Sequence, residues 1–481
     1  MDPNIGEVLK HLEEEYLPSA RWWPWKGARQ RVELYYYEEY GRLLYLVLES
    51  RGLLFQLPLA VVPSIPSELS SRGFCTEEAC FVEAEYLPDY PLLIQGLESL
   101  SVRVLGDFDL KGLRVLEAKP VTLESTNSIV EYSTQLGSLV LKSYRLLPEV
   151  GFEAKMLERL AKRGYKHAPR VRALFYYRDR AAGILMDRVS GVADGGAPFY
   201  SALVERLSRG AAGDRVGLAS KLGVVVAEMH IALNHPADDP FFGPEPVASS
   251  DVSAWSSRTT RMLESALRNI DEHASSLPRG EAEELEYWRG LVEKKALGVV
   301  EDALSLMEKN TELYKARTHQ DLHLAQMVYT GDGVLDFVVT DFEGEPGRSG
   351  AERTAKEPLL RDLASMVRSF HYLSHAAIMS ALNLPRHRAS LLMLEKDPSL
   401  EWRLKHVLAM CYSYLARMLG TGLLAPNELR VARKPWLYLY PWIVERAVYE
   451  LYYESLYRPS WISIPVVGLV EAGLYKSRLA G

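Results

Sequence analysis

The sequence predicts an α+β protein in which a mixed α/β front half precedes a large, almost wholly helical back half. Two observations carry that expectation. Between Val32 and Val62, and again from about Val102 to Tyr144, β-branched, aromatic and leucine residues come in short runs. Examples are Val32-Glu33-Leu34-Tyr35-Tyr36-Tyr37 and Leu43-Leu44-Tyr45-Leu46-Val47-Leu48, separated by Gly41-Arg42 and Arg51-Gly52 in the manner of strands and hairpin turns. After Arg188 the pattern becomes helical, broken at 191–197, at 235–248 and in a short region near 318–343. The 481 residues, 48% hydrophobic and 25% charged, have the composition of an ordinary globular protein.

In chain order, Ile5 to Leu17 places apolar residues at helical spacing among glutamates and predicts a first helix. Strands follow to Val62, with Pro58 in Phe55-Gln56-Leu57-Pro58-Leu59 expected to end one of them because proline removes a ladder donor. This gives a small α+β unit over 1–90. A second strand-rich unit spans 91–187. In it, Ser138 to Tyr144 reads as a buried strand carrying one lysine, Glu153 to Leu160 as a helix, and Ala173 to Met186 as further strands. The helical remainder is 188–481. No repeat period or low-complexity linker appears.

Composition also excludes classes of function. The 56 Lys+Arg against 63 Asp+Glu give a net charge of −7, and no dense basic run is present, so general nucleic-acid binding is disfavoured. Three cysteines rule out a disulfide-built scaffold, and Cys75 and Cys80 read as free core thiols rather than a local bridge. No apolar run near 18 residues is evident, and the N-terminus is an acidic amphipathic segment, not a signal peptide. The expectation is a soluble cytoplasmic protein without membrane contact.

The chemistry concentrates in Thr318-His319-Gln320-Asp321-Leu322-His323-Leu324-Ala325-Gln326, followed by an apolar strand and Asp341-Phe342-Glu343. Phosphoryl transfer from ATP needs one carboxylate to orient and deprotonate the attacking hydroxyl and further oxygen ligands to hold Mg²⁺ on the phosphates. Asp321 suits the first role, and Gln326 and Asp341 the second. The spacing H-x-D-x-x-x-x-(N/Q), then an apolar strand ending in D-F, parallels the catalytic and metal loops of protein kinases. His319 and His323 read as loop braces, because zincin-like ligand spacing is absent.

The front half supplies matching parts. Lys142 inside an apolar strand needs a partner, and Glu153 at the start of the next helix is the candidate, as in the strand-lysine to helix-glutamate pair that grips nucleotide phosphates. The hairpin tip Glu124-Ser125-Thr126-Asn127-Ser128 can offer N–H groups and hydroxyls to phosphates in place of a glycine-rich loop.

Motifs spread over most of the chain resemble the maltokinase family, a branch of the aminoglycoside-phosphotransferase-like sugar kinases. Arg21-Trp22-Trp23-Pro24-Trp25-Lys26-Gly27 resembles R-W-F-x-x-K-x-R, and Phe55 to Leu59 resembles Y-Q-x-P-L. His319 to Gln326 resembles H-G-D-L-H-x-x-Q, with Gln320 in place of the usual glycine. Asp341-Phe342-Glu343-Gly344-Glu345-Pro346, continuing to Arg361-Asp362, resembles D-F-E-G-E-P…R-D. Glu445 to Glu454, with Arg458-Pro459-Ser460-Trp461, resembles E-K-A-x-Y-E-x-x-Y-E…R-P-x-W.

The resemblance implies a bilobal, eukaryotic-protein-kinase-like fold with an N-terminal α+β cap, a β-rich intermediate subdomain and a helical C-lobe. It implies ATP and Mg²⁺ as cofactors, Asp321 as catalytic acid, and Gln326, Asp341 and Glu343 around the metal. Lys142, Glu153, Ser125, Asn127, Ser128 and Met186 would face the nucleotide, with Met186 at the hinge. Tyr449 and Tyr453, four apart on one helix face, would meet the sugar with His323, Glu345 and Arg458. Asp362 would hold the catalytic loop, and Trp22, Trp23 and Trp25 would fill the cap core. The leading expectation is phosphorylation of the anomeric hydroxyl of maltose, with a trehalose-handling enzyme as a possible partner. The alternatives are a glucosamine kinase of the same fold and a non-catalytic glucan-binding protein.

Overall fold

The computed structural model describes residues 4–122, 125–210, 214–331, 333, 337–346 and 348–479, with side chains described as far as Gly473. Glu124, Leu335 and Asp336 lie outside the described residues. Two compact units form. One comprises 1–161 and 169–189, the other 162–168 and 190–481.

The first unit opens with the Ile5–His11 helix, which Asn4 caps by accepting the Glu7 N–H at 3.4 Å and which continues helically to Ser19. Strands β1 (Glu33–Tyr40), β2 (Leu43–Ser50), β3 (Leu53–Val62), β4 (Gly73–Cys75) and β5 (Cys80–Glu83) make an antiparallel sheet of order β1-β2-β3-β5-β4. Strands β6 (Leu100–Val104), β7 (Val115–Thr122), β8 (Ser128–Thr134), β9 (Gly137–Ser143), β10 (Val171–Tyr177) and β11 (Arg180–Asp187) make a second sheet, ordered β6-β10-β11-β9-β8-β7. Tyr45, Val47 and Val82 of the first sheet share one core with Tyr132, Leu141 and Leu185 of the second, so segments 1–90 and 91–187 pack as one body. A satellite cluster holds Trp22 and Trp23, with the Trp23 ring 4.9 Å from Phe55.

Two expectations are corrected here. Pro58 does not end its strand. β3 runs through it, with Pro58 opposite Tyr45, because the even-numbered N–H groups of β3 face away from β2. Gln56 N–H goes to Arg145 O on that side, and pairing with β5 starts only at Leu59, so no ladder donor is missed at Pro58. Cys75 and Cys80 are not free thiols but a disulfide. They are directly paired across the β4–β5 hairpin with Cα atoms 4.0 Å apart, a proximity set by the turn.

In the second unit the Val216–Asn234 helix, by composition apolar enough to cross a membrane (mean hydropathy 1.5), corrects the expectation that no such run exists. Half of that stretch is buried inside the protein. It packs on the Leu400–Met418 helix, where a Cβ on Gly223 would come within 2.1 Å of Met410 O. The Pro435–Tyr457 helix packs against the Ser249–Ser276 and Leu360–Leu382 helices. Six short strands position the 318–326 loop: β12 (Ala193–Asp194), β13 (Glu245–Pro246), β14 (Tyr314–Ala316), β15 (Met327–Tyr329), β16 (Phe337–Val339) and β17 (Glu357–Pro358). They form sheets ordered β12-β15-β16 and β13-β14-β17, so the loop enters from β14 and leaves into β15.

Candidate active site

Asp362, wholly buried in the first turn of the Leu360–Leu382 helix, organises the loop. Its two oxygens accept the His319 N–H at 2.6 Å and the Gln320 N–H at 2.9 Å, and His230 Nε2 lies 3.0 Å away. Burial works against the carboxylate, but the His230 and His319 contacts outweigh it and hold the acid below its ordinary range. Gln320 takes the left-handed backbone (φ 71°) that favours glycine. Its side chain is tied down, Nε2 donating to Ala355 O at 2.8 Å, while Arg361 donates to its carbonyl at 3.0 Å.

Asp321 is thereby presented with its side chain only 11% exposed, and Arg446 Nη1 donates to Oδ1 at 3.1 Å. His323 Nε2 lies 3.8 Å from the same carboxylate. Burial holds His323 down to about 4, with Arg446 adding to the effect of burial and Asp321 opposing it, so it is neutral at pH 7. Beyond β15 and β16, Asp341 is exposed in a left-handed conformation (φ 61°), and Gln326 Nε2 donates to Oδ2 at 2.9 Å. Thr340 N–H bonds to Gln326 O at 2.9 Å and fixes the two strand ends. Asp341, the Gln326 amide oxygen and Glu343 are hard oxygen donors of the kind Mg²⁺ takes.

Asp321 opens into a cleft of about 490 Å³ that it shares with Asp194, Tyr372, Arg446, Tyr449, Glu450, Tyr453, Glu454 and Arg458. The Tyr449 and Tyr453 rings lie 6.3 Å apart and 30° from parallel. Glu450 is anchored by Arg368 at 2.7 Å, whose guanidinium occupies the space a Cβ on Gly468 would need. Glu454 takes Arg458 at 2.7 Å and the Tyr372 hydroxyl at 3.2 Å, and burial raises its carboxyl above the usual range. Asp194 accepts the Gly196 and Ala197 N–H groups, turning the chain into the Ala197–Arg209 helix. Four carboxylates therefore stand in this wall against the guanidiniums of Arg446 and Arg458.

Glu345 is not among them. It is fully buried among Arg348, Arg361 and Arg446, which pull its carboxyl far below the usual range despite burial, so its place is in the ion network behind the cleft. Of the expected sugar-side residues, Tyr449, Tyr453, His323 and Arg458 do line the cleft. Sequence reading passed over Arg446, Glu454, Tyr372 and Asp194. Arg446 carried a usable signal, as a cation in a helix stretch too apolar to leave it unpaired.

In the first unit Lys142 on β9 lies 2.9 Å from Glu153, which also accepts the Tyr144 hydroxyl at 2.7 Å. Ser125 Oγ accepts the Asn127 N–H at 3.0 Å, and Asn127 Oδ1 accepts the Arg145 N–H at 3.3 Å. Met186 is part-buried on β11 opposite Val140. Ser128 is corrected. Its hydroxyl is wholly buried between Arg145 at 2.6 Å and Glu83 at 3.2 Å, committed to the interior rather than to a phosphate.

No family model matches the chain. It is 28% identical over 230 residues to a glucosamine kinase of Streptacidiphilus jiangxiensis, covering 47% of each chain. It is 23% identical over 255 residues to a glucosamine kinase of Mycolicibacterium smegmatis, covering 53% of each. The matches thus span about half the length of these curated relatives. A solved glucosamine kinase in complex with glucosamine, ADP and inorganic phosphate superposes with a TM-score of 0.64 at 18% identity, over 98% of this chain and 99% of that one. The chain has the fold of glucosamine kinase. That fold is the α+β, two-unit kinase-like architecture. Within the glucosamine-kinase fold, Lys142 and Glu153 belong to the β-rich unit, and Asp321, Gln326 and Asp341 to the helical one.

Proposed function

We propose that this chain is an ATP-dependent sugar kinase whose acceptor is an amino sugar of the glucosamine class. The observation that carries the acceptor is the cleft wall, in which Asp194, Asp321, Glu450 and Glu454 outnumber Arg446, Arg458 and the Arg368 that holds Glu450 from behind. A cationic ammonium gains from that excess of negative charge, whereas a neutral disaccharide gains nothing from it. The relatives named for glucosamine kinase activity support the same reading.

In this reading Asp321 orients the acceptor hydroxyl and accepts its proton, while Arg446 and the Asp362-braced loop hold the carboxylate in place. Lys142, oriented by Glu153, neutralises charge on the nucleotide phosphates, and the Ser125–Asn127 tip and Met186 border the nucleotide. Mg²⁺, held by Gln326, Asp341 and Glu343, would supply further neutralisation of phosphate charge.

A second reading, transfer to the anomeric hydroxyl of maltose, is favoured by one observation: the near-parallel Tyr449 and Tyr453 rings offer the apolar face that a disaccharide stacks on. ADP release from MgATP measured against glucosamine, maltose, glucose and trehalose, with phosphorus NMR of the product, separates the two. Turnover with glucosamine is the expected result. An anomeric phosphate formed from maltose alone would replace the first reading by the second, and no turnover with any sugar would remove both.

A further inference from the structure

Aromatic rings continue outward from the Asp321 cleft. Tyr449, Tyr453 and Tyr457 recur every fourth residue on one face of the Pro435–Tyr457 helix. Their rings form a ladder, 6.3 Å from the first to the second and 4.8 Å from the second to the third. Exposure rises along it. Tyr449 is 5% exposed, Tyr453 is half-buried and Tyr457 is 66% exposed. Tyr449 and Tyr453 line the cleft and Tyr457 does not, so the third ring stands outside its mouth.

The outer end of the ladder is braced. Trp461, on the Pro459–Trp461 turn that follows the helix, is overlaid by Arg458 at 4.9 Å and by Arg386 at 4.1 Å. Arg458 also lies 5.7 Å from the Tyr453 ring, and Arg386 donates to the Ser460 carbonyl at 2.9 Å. Glu454 matches the charge of Arg458 at 2.7 Å, so what this end offers a ligand is ring face rather than charge.

We propose that the acceptor is a glycoside of an amino sugar, whose amino ring enters the cleft and whose second, uncharged hexose lies on Tyr457 at its mouth. A sugar presents a C–H face to an aromatic ring, and each four-residue step advances about 6 Å along the helix, comparable to one pyranose ring. An exposed tyrosine in ring contact with a cleft tyrosine is placed to take such a face. The inference rests on the amino-sugar reading and deepens it, because it gives the outer ring a use that a monosaccharide leaves idle.

ADP release from MgATP tests it, with glucosamine set against lactosamine and trehalosamine, which carry a neutral hexose on O4 and on the anomeric oxygen of glucosamine. The readout is the glucosamine KM divided by the KM of the better disaccharide, a ratio independent of how much of the protein is folded. In the wild type it should be about five, the gain from one aromatic contact, and in Tyr457→Ala about one. Tyr457→Phe keeps the ring and should keep the wild-type ratio. A wild-type ratio near one, a ratio unmoved by Tyr457→Ala, or a ratio lost in Tyr457→Phe would overturn the proposal. Turnover of glucosamine with a ratio near one sinks this inference alone, whereas no turnover with any of these amino sugars sinks the amino-sugar reading and this inference with it.

Discussion

The two units each contain a buried ion network, and the networks end differently. In the first unit Glu83 accepts the Tyr16 hydroxyl at 2.7 Å, the Trp22 N–H at 3.0 Å and Arg145 at 2.7 Å, while Glu85 takes Arg145 and the Ser143 hydroxyl. Arg72, Arg145, Glu83 and Glu85 are at most 3% exposed, so the network closes on itself and ties the first helix to both sheets. In the second unit Arg258, Arg348, Arg361 and Arg446 are matched in number by Glu345, Glu357, Glu445 and Asp321. This network is open, because its last member stands in a cleft. The same chemistry that staples a core in one place fixes a carboxylate at the edge of a cleft in the other. The desolvation cost of burying eight charges is offset by mutual pairing only while every member is present.

The sharpest test of the open end is Asp321→Asn, which keeps the shape of the side chain and removes the carboxylate proposed to accept the acceptor's proton. Sugar-dependent ADP release should fall by about 10³-fold, within the usual range for a positioned acid or base, with nucleotide binding retained. A fall of less than tenfold would show that Asp321 is not the reacting acid.

Next comes a matched pair. Arg145→Met strands Glu85, leaves Glu83 with Arg72 as its cation, and should cost about 3–5 kcal/mol in urea unfolding, with turnover per folded molecule unchanged. Arg446→Met leaves Arg348 and Arg361 on Glu345 and should cost less stability, but it frees Asp321 to move and should lower kcat by about 10²-fold. If Arg446→Met unfolds as readily as Arg145→Met and retains its kcat, the distinction between the networks collapses.

A smaller effect falls on specificity. Tyr449→Phe with Tyr453→Phe removes two hydroxyl tips and keeps the rings, and should raise the acceptor KM by about tenfold without changing the KM for ATP. Equal shifts in both constants would move the tyrosines out of the acceptor site.

Much of this was legible in the sequence, and what was not shares a cause. Asp321, Gln326, Asp341 and the Lys142–Glu153 pair sit in short motifs, and the fold sets Asp321 on a cleft, Gln326 on Asp341 and Lys142 on Glu153. Ser128 and Glu345 sit in such strings too, yet their surroundings come from distant segments: Arg145 and Glu83 for the one, Arg348, Arg361 and Arg446 for the other. The Cys75–Cys80 bridge depends on how tightly one hairpin turns, and the continuation of β3 through Pro58 on which edge its neighbour covers. Sequence names the groups, and tertiary contact decides which way each is turned.

The smallest effect expected is a pH dependence that separates a histidine at the open network's end from one inside the fold. His323 and His375 are both held down to about 4 by burial, the first beside Asp321 and Arg446, the second bonded to the Ser390 hydroxyl at 2.6 Å. An unfolded histidine titrates near ~6.5. Between those values the unfolded chain carries a proton that the folded chain refuses, so each histidine makes stability fall as pH drops from about 6.5 towards 4. Urea unfolding at pH 7, 6 and 5 should give a shallower loss for His323→Gln and for His375→Gln than for the wild type, by at most about 1.4 kcal/mol per pH unit each. Only His323→Gln should also raise the acceptor KM, which separates the two histidines. The same pH slope for His323→Gln and the wild type would show that burial does not hold His323 neutral, and an unchanged acceptor KM that it is not part of the acceptor site.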